Sequence, residues 1–292
     1  AEKKFLDVKN ITPEKLSAAK FSIDTALTYI KSTPAISRIL AQHSVILRPT
    51  SYYLALAVKE SLLNPTANTG ADNPKFDGWA VGYFQLKQTA LKDVNQYFGT
   101  PYIKESVFSK DPTNSPSQIS ASINNCVVGI LYWHLCEKVY AKEITDQLPK
   151  EEQAKFSAMV YFLGPGQFKS LYHSLDKPKN FKEFAKRIAG HLSKKFKFIS
   201  TQGSGLSTSY NPVYSVETRS HINTGSLNPK DVLEKLHQQY VLIDGKKFNA
   251  ESLFEAIRYA EITFQLMHDT DLKAPERLLY KVKKGETLSG II

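Results

Sequence analysis

Glu60 and Ser61 close an apolar segment, SYYLALAVKESLL, which must stop near Asn64 because Pro65 disfavours helical geometry in the residue before it. A carboxyl in the last turn of a helix faces the negative end of the helix dipole, and Val58, Leu62 and Leu63 give this one apolar neighbours. Both effects disfavour the charged form, so the pKa of Glu60 is expected to rise, as suits a general acid. On periodicity alone a Glu at a helix end is a solvated residue, and what singles this one out lies downstream. Residues 64 to 79 form a polar loop with Asn64, Asn68, Thr69, Asp72, Asn73 and Asp77 set among Gly70 and Gly78. Gly82-Tyr83-Phe84-Gln85 then reads as a tight turn that directs the Gln85 side chain into a cleft.

The ordered set Glu60-Ser61, Gly82-x-x-Gln85-Leu86 and Thr89-Ala90 resembles the signature of the soluble lytic transglycosylases, which have a goose-type lysozyme-like fold. Thr69, nine residues after Glu60, stands where that family usually has Ser and keeps the hydroxyl. The loop from Thr69 to Gln85 is longer than in compact members, and Asp72 and Asp77 fall within the excess. Phe84 occupies the usual place of a Met, either as an apolar platform under a sugar's N-acetyl methyl or as a core aromatic. Asn125-x-x-x-Gly129-x-x-Tyr132 is similar to the run that follows the catalytic segment. Tyr161 to Gly166, YFLGPG, is similar to the family's Tyr-Asn-x-Gly-Pro-Gly: Tyr161 matches the Tyr that orients the catalytic Glu, and Phe162 replaces the substrate-binding Asn. The resemblance implies Glu60 as the catalytic residue and Ser61, Thr69, Tyr83, Phe84, Gln85, Tyr161 and Phe162 as substrate contacts, with no metal and no cofactor.

Near the C-terminus, Tyr280-Lys281-Val282-Lys283-Lys284-Gly285-Glu286-Thr287-Leu288 resembles the opening of a LysM module, with Glu286 in the usual Asp position. Such modules recognise N-acetylglucosamine-containing glycans, so both resemblances imply peptidoglycan glycan strands as the partner. The implied reaction cleaves the bond between N-acetylmuramic acid and N-acetylglucosamine and leaves a 1,6-anhydro product. One carboxyl suffices, because the muramic acid's own 6-hydroxyl attacks the anomeric carbon. A hydrolase of goose-lysozyme type would need a second carboxylate ~6.5–9.5 Å away to hold water, for which Asp72 or Asp77 could serve. A cell-wall-binding scaffold without turnover is the remaining alternative, motivated by Phe162.

Composition bounds these readings. The chain has 292 residues and a net charge of +10, enough length for a substantial core and the sign that favours an anionic partner. Peptidoglycan carboxylates satisfy that sign. Nucleic acid is not expected, since the chain carries no zinc-ligand pattern, RNA-binding signature or dense basic helix. No uninterrupted apolar run reaches the roughly 18 residues of a transmembrane segment, and AEKKF lacks a signal-peptide core. An Ala at position 1 is compatible with a terminus left by signal cleavage, and the periplasm or cell envelope is the expected location. Cys126 and Cys136 lie ten apart in one expected helix, ~15 Å from each other, so they are read as buried thiols rather than a disulfide.

The elements that must hold these residues are mostly helices. Thr12-Pro13-Glu14 opens one that runs to about Lys31, a second runs from Pro34 to His43, and Thr50 is expected to cap the helix bearing Glu60. Gly99 ends a helix over 88–98, and Ser115-Pro116-Ser117-Gln118 is a capping box opening an apolar, central helix to about Ala141. His134 on that helix is read as structural. Helices over 150–163 and 180–196 precede a Ser/Thr/Gly/Pro stretch at 200–228, where Val216-Glu217-Thr218-Arg219 faintly matches the segment closing many family catalytic domains. Helices over 229–240 and 250–268 flank a possible hairpin at Asp244-Gly245, and the stripe Leu253, Ile257, Ala260, Phe264, Met267 is read as packing. The expected architecture is mainly α: a lysozyme-like (goose-type) helical catalytic domain over 1–199, an accessory, mostly helical region over 200–277, and the start of a LysM module over 278–292.

Overall fold

A computed structural model describes residues 7–8, 11–69, 80–200, 205–208, 214–215 and 217–268, with the backbone alone at 7–8, 151, 205–208, 214–215 and 217–220. Asp72, Asp77 and the LysM-like segment lie outside the described residues. The protein is mainly helical.

The N-terminal helices form where local chemistry places them. Thr12 accepts from Lys15 N at 3.3 Å and Pro13 takes the first turn, opening α1 (Pro13–Ser32), which α2 (Pro34–Gln42) follows after Thr33. The next helix, α3 (Thr50–Ser61), begins one residue earlier than expected. Thr50 is already helical and does not cap; its hydroxyl donates instead to Asp24 Oδ1 on α1 at 2.5 Å, a tertiary contact that outcompetes the local cap. The chain leaves α3 through Leu62 and Leu63, both in the left-handed region at φ 54° and 55°.

A short antiparallel ribbon of β2 (Asn68–Thr69) and β3 (Ala80–Val81) leads into α4 (Gln88–Phe98), which Gly99 terminates at φ 66°. The four-residue α5 (Lys104–Val107) precedes α6 (Pro116–Leu135). Ser115 caps α6 through Gln118 N at 3.2 Å, but the reciprocal bond of the expected box is shifted: the Gln118 side chain accepts from Asn114 N.

The central helix was expected to run unbroken to about Ala141, and it changes to a π-helical turn at Cys136–Tyr140. There Glu137 O accepts from the Thr145 hydroxyl at 2.7 Å, and the Glu137 carboxyl is drawn inward to Arg48 at 2.5 Å. Contacts of that kind at a bulge hold a helix off its regular ladder. The stretch Pro116–Tyr140 is long and apolar enough by composition to cross a membrane, yet 72% of its most apolar window is buried inside the protein. It packs against α1, α4 and α5 as the middle of the core. Cys126 and Cys136 are buried free thiols.

Beyond the short α7 (Lys142–Thr145), α8 (Lys150–Leu163) and α9 (Pro165–Ser174) meet at Gly164, and Asn180 caps α10 (Phe181–Lys195). Within the long polar stretch the described residues form two antiparallel pairs: β1 (Asp7–Val8) with β5 (Tyr214–Ser215), and β4 (Gly205–Thr208) with β6 (Glu217–Ser220). Glu217-Thr218-Arg219 is therefore strand. Asn228 caps α11 (Pro229–Leu236), which ends before 240 because the following residues enter β7 (Tyr240–Ile243). β7 pairs with β8 (Lys246–Asn249) across Asp244 and Gly245, both at positive φ, as an Asp-Gly hairpin requires.

The last described helix, α12 (Ala250–Met267), does not stand apart. It packs along α8 and α3, and Leu253, Ile257, Ala260 and Met267 belong to the same core cluster as Ile23, Leu54 and Val58. The expected boundary near residue 199 thus lies inside one continuous core.

Candidate active site

Glu60 sits in the last turn of α3, half-buried, with its carboxyl among α3, α8, α12 and the start of α4. Burial pushes its pKa above the ordinary carboxylate value, against the opposing pull of a Tyr259 hydrogen bond and the charges of Lys59 and Lys87. Desolvation wins, which leaves a carboxyl inclined to hold its proton. The neighbouring Ser61 hydroxyl is turned back onto its own helix, donating to Ala57 O at 3.0 Å.

The turn after β3 is fastened at both ends. Gly82 N donates to Ala67 O at 2.8 Å, and Val81 and Leu86 exchange backbone bonds around the four turn residues. Gln85 lies at φ 45°; its amide nitrogen donates to Gly82 O at 3.0 Å and Ala67 O at 3.3 Å, and its Oε1 accepts from the Thr69 hydroxyl at 2.7 Å. Thr69 and Gln85 are thus brought together as a clasp between ribbon and turn.

The turn rests on α6 through residues spaced four apart on one face of that helix. Asn125 accepts from Phe84 N at 3.0 Å and donates to Val81 O at 2.9 Å and Val107 O at 3.2 Å. A Cβ on Gly82 would lie 2.2 Å from Asn125 Nδ2, and the residue's φ of 73° independently favours glycine. One turn further along α6, Gly129 leaves room for the Phe84 ring. Phe84 has no accessible surface and Tyr83 has 2%, so both expected substrate contacts are core side chains and present nothing to a ligand. Both turn residues face inward, Phe84 against Gly129 of α6, while Gln85 is only partly buried.

Tyr161 stands on α8 against the rings of Tyr132 and Trp133, at centroid distances of 5.6 and 5.9 Å. It lies close enough to Glu60 that the carboxylate's charge, after burial, helps raise the Tyr161 pKa. Its hydroxyl, however, donates to Phe84 O at 2.8 Å and not to Glu60. The hydroxyl on Glu60 comes from α12: Tyr259 donates to Glu60 Oε1. Phe162, 38% exposed, stacks on the Tyr259 ring at 5.0 Å and 29°, and Lys59 Nζ lies 5.3 Å from the centre of that ring.

No family model, no curated protein and no solved structure matches the chain. The reading of this site therefore rests on its residues and their arrangement.

Tyr259 is the site residue that the sequence did not disclose. Its neighbours on α12 form a packing stripe, and nothing in local spacing links it to a carboxyl 199 residues away. The available signal was a hydroxyl-bearing aromatic on a helix that is otherwise largely buried, which commonly has a hydrogen-bond partner. Among the described residues, no three His, Cys, Asp or Glu side chains are grouped so as to hold a metal ion.

Proposed function

We propose that the protein is a lytic transglycosylase with a lysozyme-like catalytic fold, cleaving peptidoglycan between N-acetylmuramic acid and N-acetylglucosamine. The observation that carries this reading is a carboxyl, Glu60, whose pKa is raised by burial beside the Thr69–Gln85 clasp and Tyr161, in the order the resemblance requires. Protonated Glu60 would give its proton to the glycosidic oxygen as the bond to the anomeric carbon breaks. The resulting carboxylate would then take the proton of the muramic acid 6-hydroxyl as that oxygen closes on the anomeric carbon. The proton count balances: Glu60 ends protonated, as it began, and needs no proton from solvent. A carboxyl that prefers its neutral form is suited to the first step.

Under this reading Thr69 and Gln85 hold the rim of the site, and Phe162 offers a part-exposed ring to a sugar face. The location would be the periplasm or cell envelope, where glycan strands are found. Digestion of purified sacculi followed by mass spectrometry tests the reading: muropeptides ending in anhydromuramic acid support it, and ends carrying an added water would replace it with hydrolysis.

A second reading, a glycan-binding protein without turnover, has one observation in its favour. Glu60 Oε1 already accepts the Tyr259 hydroxyl, and a stacked aromatic pair stands beside it. Sedimentation with sacculi but no released product under any condition from pH 4 to 8 would establish that reading instead.

A further inference from the structure

We propose that Tyr259 on α12 is a positioning residue for the Glu60 carboxyl, held in place by the Phe162 ring stacked upon it. The inference deepens the reading of Glu60 as the general acid and rests on it. Three observations converge on the assignment. The Tyr259 hydroxyl donates to Glu60 Oε1, so one carboxyl oxygen is fixed and the other is left as the proton carrier. Tyr259 is only 2% exposed and its ring is bracketed, by Phe162 at 5.0 Å and by Lys59 Nζ at 5.3 Å. Tyr161, in the place where the resemblance puts the orienting hydroxyl, is committed to Phe84 O at 2.8 Å.

The Phe at 162 and the Tyr259 contact to Glu60 make sense together. An Asn at 162 would lack the flat apolar face on which Tyr259 lies, whereas Phe supplies it. Phe162 and Tyr259 come from α8 and α12, which run packed against each other, so the ring pair is part of the helix contact and not an added decoration. α12 thereby becomes a wall of the site.

Among the described residues, the groups facing the Glu60 carboxyl are Lys59 from α3, Lys87 ahead of α4, Tyr161 from α8 and Tyr259 from α12. Two are cations that favour the ionised form from a distance, and Tyr259 is the direct donor. Removing that donor while keeping the ring destabilises the carboxylate, so the Glu60 titration must move to higher pH. A purely structural role for Tyr259 predicts no such movement in a variant that stays folded.

The experiment compares wild type with Tyr259→Phe, which keeps the stack on Phe162 and removes only the hydroxyl. The full chain is labelled at the Glu carboxyl carbon, and Glu60 is assigned by the signal missing from Glu60→Gln. The Glu60 midpoint should rise in Tyr259→Phe, and sacculus digestion should show a kcat lower by about 10- to 100-fold with its basic limb displaced upward and KM little changed. An unchanged midpoint in a folded Tyr259→Phe overturns the proposal, whatever happens to activity. Phe162→Leu, which removes the stack and keeps the hydroxyl, should shift the midpoint in the same direction by less. The two readings fail separately. A shifted midpoint in a protein whose wild type digests nothing leaves the positioning in place and removes the lytic reading. An active wild type with an unmoved midpoint does the reverse.

Discussion

Gly129 on α6 lies so close to Phe84 that a Cβ there would sit 2.3 Å from Phe84 Cγ. The turn that follows Gly82 can approach the central helix only because this position lacks a side chain. Alanine at 129 would gain about 1 kcal/mol of helix propensity, but forcing a methyl into a filled core costs about 1–3 kcal/mol. Phe84 is fully buried and has no free direction in which to yield, so the cost wins. Gly129→Ala is expected to lower the urea midpoint and, by displacing the turn that carries Gln85, to impair sacculus digestion. A variant as stable and active as wild type would refute this account of the contact.

Asn125 serves three backbone groups at once, from Val81, Phe84 and Val107. Replacing it with Ala takes this partner from Phe84 N and Val107 O at about 1–3 kcal/mol apiece, while Val81 O keeps Leu86 N, so a loss of roughly 2–4 kcal/mol is expected after relaxation. Asp, nearly the same shape, keeps the acceptor for Phe84 N but cannot donate to the two carbonyls, and should rank between Asn and Ala in thermal melts. The order Asn, Asp, Ala is the point to check.

Buried Tyr53, His134 and Glu137, with part-buried Arg48, contribute to the acid response of the fold. His134 Nε2 meets the Tyr53 hydroxyl at 2.9 Å, and burial lowers the His134 pKa despite Glu137 Oε2 at 3.6 Å from its other ring nitrogen. Desolvation raises the Glu137 pKa, but the neighbouring His134 ring and the Arg48 charge outweigh it and bring the pKa from 4.5 down to about 2. Both groups take up protons more readily unfolded than folded, so stability falls as pH drops. The His134 contribution is present above its ordinary 6.5 and declines below it; that of Glu137 is complete above 4.5 and lost as pH falls through about 2. Urea midpoints measured from pH 8 to 2.5 should decline in two stages. In Glu137→Gln the second stage should flatten, while stability at pH 7 falls because Arg48 loses its partner.

Glu60 acts with the opposite sign. Its folded pKa is raised, so its contribution is fully present at low pH and is lost as pH rises through that higher value. Glu60→Gln should melt at or above wild type at pH 7 to 8 and still accept the Tyr259 hydroxyl. On the lytic reading it should also release no soluble muropeptide. Clearing of sacculi at the wild-type rate would remove Glu60 from the mechanism.

Phe162→Asn separates two effects. The variant loses an aromatic stack worth about 0.5–1.5 kcal/mol, toward the low end because Phe162 is part-exposed. It gains a side chain able to hydrogen-bond a sugar, a few-fold to about tenfold in affinity. KM should fall while kcat falls with it. Cleavage appearing only in Phe162→Asn would identify the natural protein as a binder.

Much of the fold was legible because its signals are local. Thr12 and Ser115 each cap the helix they precede, and Asp244-Gly245 makes the hairpin its dipeptide announces. The differences arise where a distant partner competes for a local group: Asp24 for the Thr50 hydroxyl, and Arg48 and Thr145 for Glu137. The site divides in the same way. The Glu60, Gln85 and Asn125 framework is carried by short spacings, whereas the fates of Tyr83, Phe84 and Tyr161 depend on which surface α6 presents. Tyr259 was invisible because periodicity describes a helix face and not what packs on it.

The Glu60–Tyr259 contact also dates the site. At 5–20 residues per second, a ribosome that has made Glu60 needs roughly 10–40 s more to reach Tyr259, 199 residues later. Through that interval α3 is complete and its acid has no hydroxyl to hold it. A nascent or prematurely terminated chain that stops before α12 would thus carry the carboxyl without the neighbour proposed to aim it. For a protein proposed to cut the cell wall, the order of residues along the chain would itself delay competence until nearly all of the described fold has been synthesised.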